Sequence, residues 1–175
     1  MLADSVAVRV DPARREELVR RWTVLGNDAD SPDRYELNEF GELILSPAPT
    51  TTHQRVERAV ARLLEAQLGP EAVTEVAVHT ERGIRVPDVV WMTPERWARC
   101  KDQTPLENVP DVCVEVVSPG NTREEILMKV NAYLRGGARE AIVVGLRGEI
   151  EFFGPKGKLE ASALGIRLEL PAELF

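Results

Sequence analysis

Apolar residues recur along the chain with two different periods, and these periods predict its secondary structure. A spacing of three to four residues is typical of a helix with one buried face, whereas alternating or continuous apolar runs between turn residues are typical of strands. By these rules we expect helices at about 12–24, 53–68 and 122–135, strands at 73–79, 84–92, 112–117 and 141–145, and hairpins at 33–46 and 149–153.

The order of these elements predicts an α/β protein. After the N-terminal helix and hairpin, the order is α-β-β-β-α-β, followed by a second hairpin. Strand 112–117 is nearly all apolar, which is typical of a central strand covered on both faces. We therefore expect a mixed β-sheet flanked by helices.

The composition of the chain is that of an ordinary globular protein. Of its 175 residues 43% are hydrophobic and 29% are charged, and no apolar run approaches the roughly 18 residues that span a membrane. Residues 1–10 lack the basic start and apolar core of a secretory signal. The two cysteines have no metal-type spacing, which favours a reducing, cytoplasmic location.

The net charge of -7 argues against tight, nonspecific nucleic-acid binding over the whole surface. It leaves room for a local basic groove on an acidic protein. With only two histidines, the chain does not suggest a histidine-rich zinc site.

Asp88 and Glu115 are charged exceptions within two apolar strands. A buried charge is costly unless something pairs with it, and carboxylates on neighbouring strands can reach one ion. Two hard oxygen ligands suit Mg²⁺, which keeps waters for a substrate phosphate, whereas zinc or iron would call for nitrogen or sulfur. The sequence therefore predicts a site for Mg²⁺, or for Mn²⁺ as its substitute, at these residues.

The spacing of these carboxylates resembles the PD-(D/E)xK nuclease signature. Pro87 and Asp88 form the Pro-Asp pair, and Glu115 follows Asp88 by 27 residues. Val117 stands where the signature has lysine. Lys129 lies at the edge of the apolar stripe of the following helix, and a long side chain there can reach the strand ends. Arg123, in the first turn of that helix, is the alternative cation.

A longer series of motifs resembles the Uma-type restriction endonuclease family of the same superfamily. The motifs occupy residues 34–56, 85–92, 112–145 and 170–175, in the family's order, so that the resemblance covers about 33–175. In that family the lysine is displaced to the helix after Glu-Val-x-Ser-Pro, which corresponds here to Lys129.

The resemblance implies a restriction-endonuclease-like fold and metal-dependent hydrolysis of phosphodiester bonds in DNA. It implies an N-terminal helical segment at 1–32 and a nuclease domain at 33–175, packed as one compact unit. The site residues that we infer are catalytic Asp88, Glu115, Lys129 and His53, metal-binding Asp88, Glu115 and Glu42, and substrate-binding Arg123.

Assembly as a homodimer is also expected, because cleavage of a duplex needs two active sites or two visits. A self-complementary apolar patch could form from the first hairpin and the C-terminus. Its C-terminal members would be Leu168, Leu170, Leu174 and Phe175.

Two other functions compete with this interpretation. Glu115 and Lys129 could form a buried structural salt bridge in a catalytically silent module that binds nucleic acid or a protein. Paired carboxylates could also belong to a glycosidase, but the displaced lysine has no role there, and only three tryptophans and two tyrosines could stack on sugars.

Overall fold

The computed structural model describes residues 10–175, so the expectation about a secretory signal falls almost wholly outside the described residues. Within this range no helix is both long and apolar enough to cross a membrane. The helices are α1 (Pro12–Gly26), α2 (Thr51–Leu68), α3 (Pro94–Cys100) and α4 (Arg123–Arg135), with a short 3-10 helix at Ala172–Leu174. The strands are β1 (Tyr35–Leu37), β2 (Leu43–Leu45), β3 (Ala72–Thr74), β4 (Val78–Thr80), β5 (Gly83–Arg85), β6 (Val89–Trp91), β7 (Val112–Val116), β8 (Glu140–Val144), β9 (Ile150–Gly154) and β10 (Gly157–Leu159).

The large sheet is mixed and lies between two helices. Its strand order is β10-β9-β8-β7-β6-β3, in which only β7 and β8 run parallel. Helix α2 packs on one face through Val56, Val60 and Leu64, and α4 packs on the other through Ile126 and Val130. The predicted α/β class with a helix-flanked mixed sheet is therefore confirmed.

A second, smaller sheet has the strand order β2-β1-β5-β4. It packs against α1, where Leu18 meets Leu37, Ala77 and Ile84 in a separate apolar cluster. The N-terminal helix is thus attached to the protein by apolar contacts with this small sheet.

Two strands that the sequence pattern made continuous are divided between the sheets. Residues 73–79 separate into β3 and β4, and residues 84–92 separate into β5 and β6. The first break lies at Glu75, which has a positive φ of 55°. The second lies at Pro87, which has no N–H to continue a strand ladder. As a result the chain crosses twice between the sheets, and the end of β5 lies beside the start of β6.

Side-chain caps set the starts of the two helices that flank the large sheet. The Thr50 hydroxyl accepts a hydrogen bond from the His53 amide at the start of α2. Thr122 and Glu125 form the predicted capping box at the start of α4. These caps place His53 in the first turn of α2 and Lys129 two turns into α4.

Candidate functional site

A cleft of about 830 Å³ opens where the small sheet meets the end of β7 and the start of α2. These elements, together with α4 and the segment before β6, contribute five polar side chains to its wall. These side chains are Glu36 of β1, His53 of α2, Asp88 just before β6, Glu115 of β7 and Lys129 of α4.

Lys129 connects the two sheets at the floor of the cleft. Its Nζ lies 3.0 Å from Glu36 Oε1 and 2.9 Å from Glu115 Oε2. The side chain of Lys129 is 16% exposed, and those of the two glutamates are less than 10% exposed. Lys129 thus reaches the strand ends from α4, as a long side chain at a helix edge can do.

Glu115 has a second partner from the same helix. The Tyr133 hydroxyl, one turn after Lys129, donates to Glu115 Oε1 over 2.6 Å and is fully buried. Residues four apart lie on one helix face. Both oxygens of Glu115 are therefore held by α4.

Glu36 is held by the strand that leads to Asp88. Arg85 donates to Glu36 Oε2 over 3.1 Å, and the Val86 amide donates to Glu36 Oε1 over 2.8 Å. Arg85 itself is only 3% exposed. The turn from β5 into β6 therefore positions Glu36 and Asp88 together.

Asp88 bonds to the backbone of β7 on both sides of Glu115. The antiparallel register of β6 and β7 pairs Val89 with Val114, and one step further the Asp88 amide donates to the Val114 carbonyl over 3.0 Å. Asp88 Oδ2 accepts a hydrogen bond from the Val116 amide over 2.6 Å. The two carboxylates predicted from the sequence are thus on adjacent strands at one end of the sheet.

His53 lies between two carboxylates. Its Nε2 is 3.0 Å from the Val116 carbonyl and 3.4 Å from Asp88 Oδ2, and its Nδ1 is 3.2 Å from Glu57 Oε1, although this last pair is not aligned for a hydrogen bond. The carboxylates of Asp88 and then of Glu57 beside the ring outweigh burial and raise the pKa of His53 to about 10. These two carboxylates therefore favour the protonated form of His53 in the metal-free protein.

Burial and the neighbouring charged groups shift the pKa values of the cleft residues. Burial, together with the charges of Asp88 and Glu36, raises the pKa of Glu115 to about 7, although Lys129 and the Tyr133 hydroxyl lower it. Burial lowers the pKa of Lys129, but Glu115, Glu36 and Asp88 outweigh this and raise it above its ordinary value. Burial opposes the ionisation of Glu36, but Lys129, the Val86 amide and Arg85 lower its pKa.

Negative charge is in excess when all these groups are ionised. Four carboxylates then face three cations, because Lys129, Arg85 and His53 stand against the residues Glu36, Glu57, Asp88 and Glu115. Among the described residues, His53, Glu57 and Asp88 each offer a possible metal-ligand atom, and these atoms lie within 4.8 Å of one another.

Two residues inferred from the sequence lie outside the cleft. Glu42 is exposed and accepts a hydrogen bond from Asn38 Nδ2 over 2.6 Å. Arg123 is paired with Glu151 and lies 6.0 Å from the ring centroid of Phe153. The structure therefore does not bring either residue to the carboxylates.

Four polar residues of the site were missed by the sequence reasoning. Glu36 alternates with Tyr35 and Leu37 in β1, and Arg85 ends the short strand β5, so neither has the apolar neighbours on both sides that singled out Asp88 and Glu115. Glu57 follows His53 by four residues and Tyr133 follows Lys129 by four, and this helical spacing was the available signal.

A comparison with protein-family models assigns the chain to a family. A family model named Uma2 and described as "Putative restriction endonuclease" matches residues 16–165. The chain belongs to the Uma2 family. This confirms the family resemblance found in the motifs. Among curated proteins there is no match to this chain.

A solved structure has the same fold as this Uma2 family member. It is described as "a putative nuclease belonging to DUF820 from Anabaena variabilis ATCC 29413". The two share a TM-score of 0.64 and 16% sequence identity, over 85% of this chain and 94% of that chain. At this identity the similarity establishes the fold, and it confirms the predicted nuclease-like architecture.

The contact between Tyr133 and Glu115 gives a first testable prediction. Tyr133→Phe removes the hydroxyl that favours the ionised form of Glu115, so the pKa of Glu115 should rise above its value of about 7. Carbon-13 NMR titration of the glutamate side chains in the metal-free protein measures this directly. Tyr35→Phe is the control, since its hydroxyl lies 3.4 Å from the Trp22 carbonyl. An unchanged Glu115 titration in Tyr133→Phe would contradict the prediction.

Proposed function

We propose that this protein is a metal-dependent endonuclease that hydrolyses phosphodiester bonds in DNA. The observation that carries the proposal is the cluster at the cleft floor, where Lys129 is held between Glu36 and Glu115, and Asp88 bonds to the backbone of β7 on both sides of Glu115. Membership in a family described as restriction endonucleases, and a fold shared with a protein described as a nuclease, support it.

The carboxylates of the cleft are the kind of donor group that a hard divalent cation prefers. Asp88 and Glu115 present carboxylates on adjacent strands, and Glu36 faces the same lysine as Glu115. Ionised together, these groups repel one another, which is why Asp88 and Glu36 raise the pKa of Glu115. A bound Mg²⁺ would offset this repulsion, and oxygen-only ligands are what it prefers. We assign Asp88 and Glu115 as its ligands, with Glu36 in place of Glu42 as the third carboxylate.

The trio of His53, Glu57 and Asp88 is less suited to hold this ion. The two carboxylates approach different nitrogens of one imidazole ring, Asp88 near Nε2 and Glu57 near Nδ1. Mg²⁺ prefers oxygen ligands, and the imidazole of this trio stands between its two carboxylates, 3.4 Å from Asp88 Oδ2 and 3.2 Å from Glu57 Oε1. His53 is therefore a positioning residue, which holds Asp88 and the Val116 carbonyl at the end of the sheet.

When bound, the metal ion supplies Lewis-acid chemistry and lowers the pKa of a water molecule. The residues of the chain supply the surroundings for that chemistry. Lys129 has three N–H donors, and Glu36 and Glu115 use two of them, so one donor remains for a phosphate oxygen of the substrate. A cation placed there stabilises the negative charge that develops in the transition state.

The silent-module alternative rests on the same Lys129 pair. A purely structural salt bridge needs one carboxylate for one ammonium, whereas Lys129 has two, with Asp88 close enough to raise its pKa further. The site also lines an open cleft rather than a sealed core. These features favour a site that takes up a further cation and an anionic substrate.

The protein acts as a homodimer in this proposal, and the first hairpin is its interface. Of the C-terminal residues, Leu168 is buried and Leu170 and Leu174 pack on the α2 side of the large sheet, so they are used within the chain. In β2, Leu43 and Leu45 are exposed, and Phe40 of the hairpin turn is 70% exposed.

The edge of β2 is self-complementary. Among residues 10–175, strand β2 pairs only with β1, and their ladder uses Ile44 and its hydrogen-bonded neighbours 42 and 46. In an antiparallel ladder alternate residues point their backbone groups away from the partner strand. The backbone N–H and C=O groups of Leu43 and Leu45 therefore face the open edge of β2. A two-fold axis at Ile44 would let Leu43 of one copy pair with Leu45 of the other.

Metal binding is the most direct test of the site. Isothermal titration of Mn²⁺ should show binding that is at least about tenfold weaker in Asp88→Asn and Glu115→Gln, each of which removes a charged ligand. Binding to the wild type should tighten as the pH rises from 6 to 8, because Glu115, with a pKa of about 7, must lose its proton to bind a cation. The control is Glu42→Gln, an exposed carboxylate outside the cleft. Equal binding by Asp88→Asn and wild type would refute this assignment.

Cleavage of a supercoiled plasmid in Mg²⁺ tests the role of Lys129. Loss of one such electrostatic group typically lowers the rate by about 10²- to 10³-fold, and we expect this for Lys129→Met. Lys156→Met changes an exposed lysine instead and should cleave normally.

Lys129→Met also leaves Glu36 and Glu115 buried without their ammonium, a loss of about 3–5 kcal/mol for a buried pair. Its assay must therefore be run below its own melting temperature. Lys129→Arg keeps the charge and serves as a second variant, expected to fold and to cleave slowly. Wild-type rates in both variants would show that Lys129 has no part in the reaction.

Light scattering tests the proposed dimer interface. The wild type should have twice the chain mass of 19.5 kDa, and the double variant Leu43→Lys/Leu45→Lys should have the mass of one chain, because charges at the open edge block strand pairing. Leu146→Lys alters another exposed leucine and should remain dimeric. A wild type that stays at one chain mass up to high concentration would contradict the interface.

A further inference from the structure

We infer that the outer face of α2 binds the phosphate backbone of the nucleic acid that enters the cleft. This inference rests on the proposed function, because it names the surface that would hold the same substrate outside the reaction centre. It is carried by three arginines, Arg55, Arg58 and Arg62, which we call the α2 arginine row.

The row lies on the side of α2 that faces away from the protein. Its members are spaced by three and four residues and so share one face of the helix. All three are exposed, whereas Val56 and Val60 point into the large sheet. The row is therefore a narrow line of positive charge presented to solvent.

No carboxylate within residues 10–175 neutralises this row. None of the three arginines forms an ion pair there, whereas other exposed arginines, such as Arg20 and Arg135, do. Glu65, on the same helix, accepts a hydrogen bond from the Ala72 amide instead. Like charges three and four residues apart destabilise a helix slightly. A bound polyanion would relieve this repulsion.

The row lies on the helix whose first turn lines the cleft. Thr50 and His53, at the N-terminal end of α2, line the cleft, and His53 is tied to the end of β7. Arg55 comes two residues later, and Arg62 lies about 10 Å beyond Arg55 at the rise of an α-helix. One DNA strand presents about three phosphates over such an axial length. The spacing of the row thus matches the phosphates of one strand that runs along the outside of α2.

The chemistry of the row favours nucleic acid over a membrane surface. Arginine guanidinium groups bind phosphates through paired N–H donors. A membrane-surface helix would need exposed apolar anchors beside its cations. The neighbouring exposed positions of α2 are instead polar or small, namely Thr51, Thr52, Gln54, Glu65, Ala66 and Gln67.

Binding of a fluorescent 30-base-pair duplex in EDTA tests the inference without cleavage. The triple variant Arg55→Gln/Arg58→Gln/Arg62→Gln should bind at least about tenfold more weakly than the wild type at 100 mM salt. The slope of log K against log salt should become shallower by about 2 to 3, as expected for the loss of three phosphate contacts. Arg58→Gln alone should change the slope by about 1.

A matched control removes three other cations. Arg99 is on α3, Lys101 directly follows α3, and Arg139 directly precedes β8; all three are exposed. They lie at the end of the large sheet opposite to the end that carries Glu115. Their triple glutamine variant loses the same charge and should bind within about twofold of the wild type. Equal losses in the two triple variants would reduce the effect to net charge and overturn the inference.

The outcome can be separated from that of the proposed function. If the wild type cleaves no DNA but the row variant alone loses affinity, the surface stands and the nuclease proposal falls. If the wild type cleaves DNA and the row variant binds and cleaves like the control, the surface is refuted and the nuclease proposal stands. Loss of binding to anionic lipid vesicles, with unchanged DNA binding, would assign the row to a membrane and overturn the inference.

Discussion

The cleft depends on the ion pairs that the Lys129 ammonium forms with two carboxylates. Two carboxylates from different sheets, Glu36 and Glu115, share it, and without it they would face each other in a poorly solvated space. Removing one partner from a buried pair typically costs about 3–5 kcal/mol, because the remaining charge stays uncompensated. The junction between the two sheets therefore combines these ion pairs with an apolar contact, in which Val78 of β4 joins the core of the large sheet.

The charge arrangement of the cleft is less stable than a fully paired one, but it suits the binding of a cation. A cluster built only for stability would match every carboxylate with a cation, but here the carboxylates exceed the cations by one and Glu115 has a pKa of about 7. Perturbed proton affinities of this kind concentrate at functional sites, where charges are arranged before a ligand arrives. The carboxylates of the cleft repel one another, and the well-packed core of β7 and β8 holds them in place despite this repulsion.

Helix α2 links the cleft to the rest of the molecule through its three faces. Val56, Val60 and Leu64 cover the large sheet, and the first turn carries His53 to Asp88 and the Val116 carbonyl. The side facing away from the protein carries the α2 arginine row. Since one rigid helix carries all three, a ligand bound along its outer face would be aligned with the carboxylates by the geometry of the fold.

The sequence by itself determined the fold class, the family and the local chemistry of β7 and α4. The apolar run around Glu115, the capping box and the helical position of Lys129 depend on interactions between residues close in the chain, which a single sequence displays. Asp88 was indicated in the same way, as a charge that an apolar strand cannot hold without a partner. Only the tertiary structure decided which other groups join them. Alternation in β1 assigned Glu36 to solvent, but a charged floor from other elements covers that face, and Glu42 is exposed in its place. The break at Pro87, which sends one strand into two sheets, brings Arg85 to Glu36, and such a pairing between segments about fifty residues apart leaves no periodic signal in the chain.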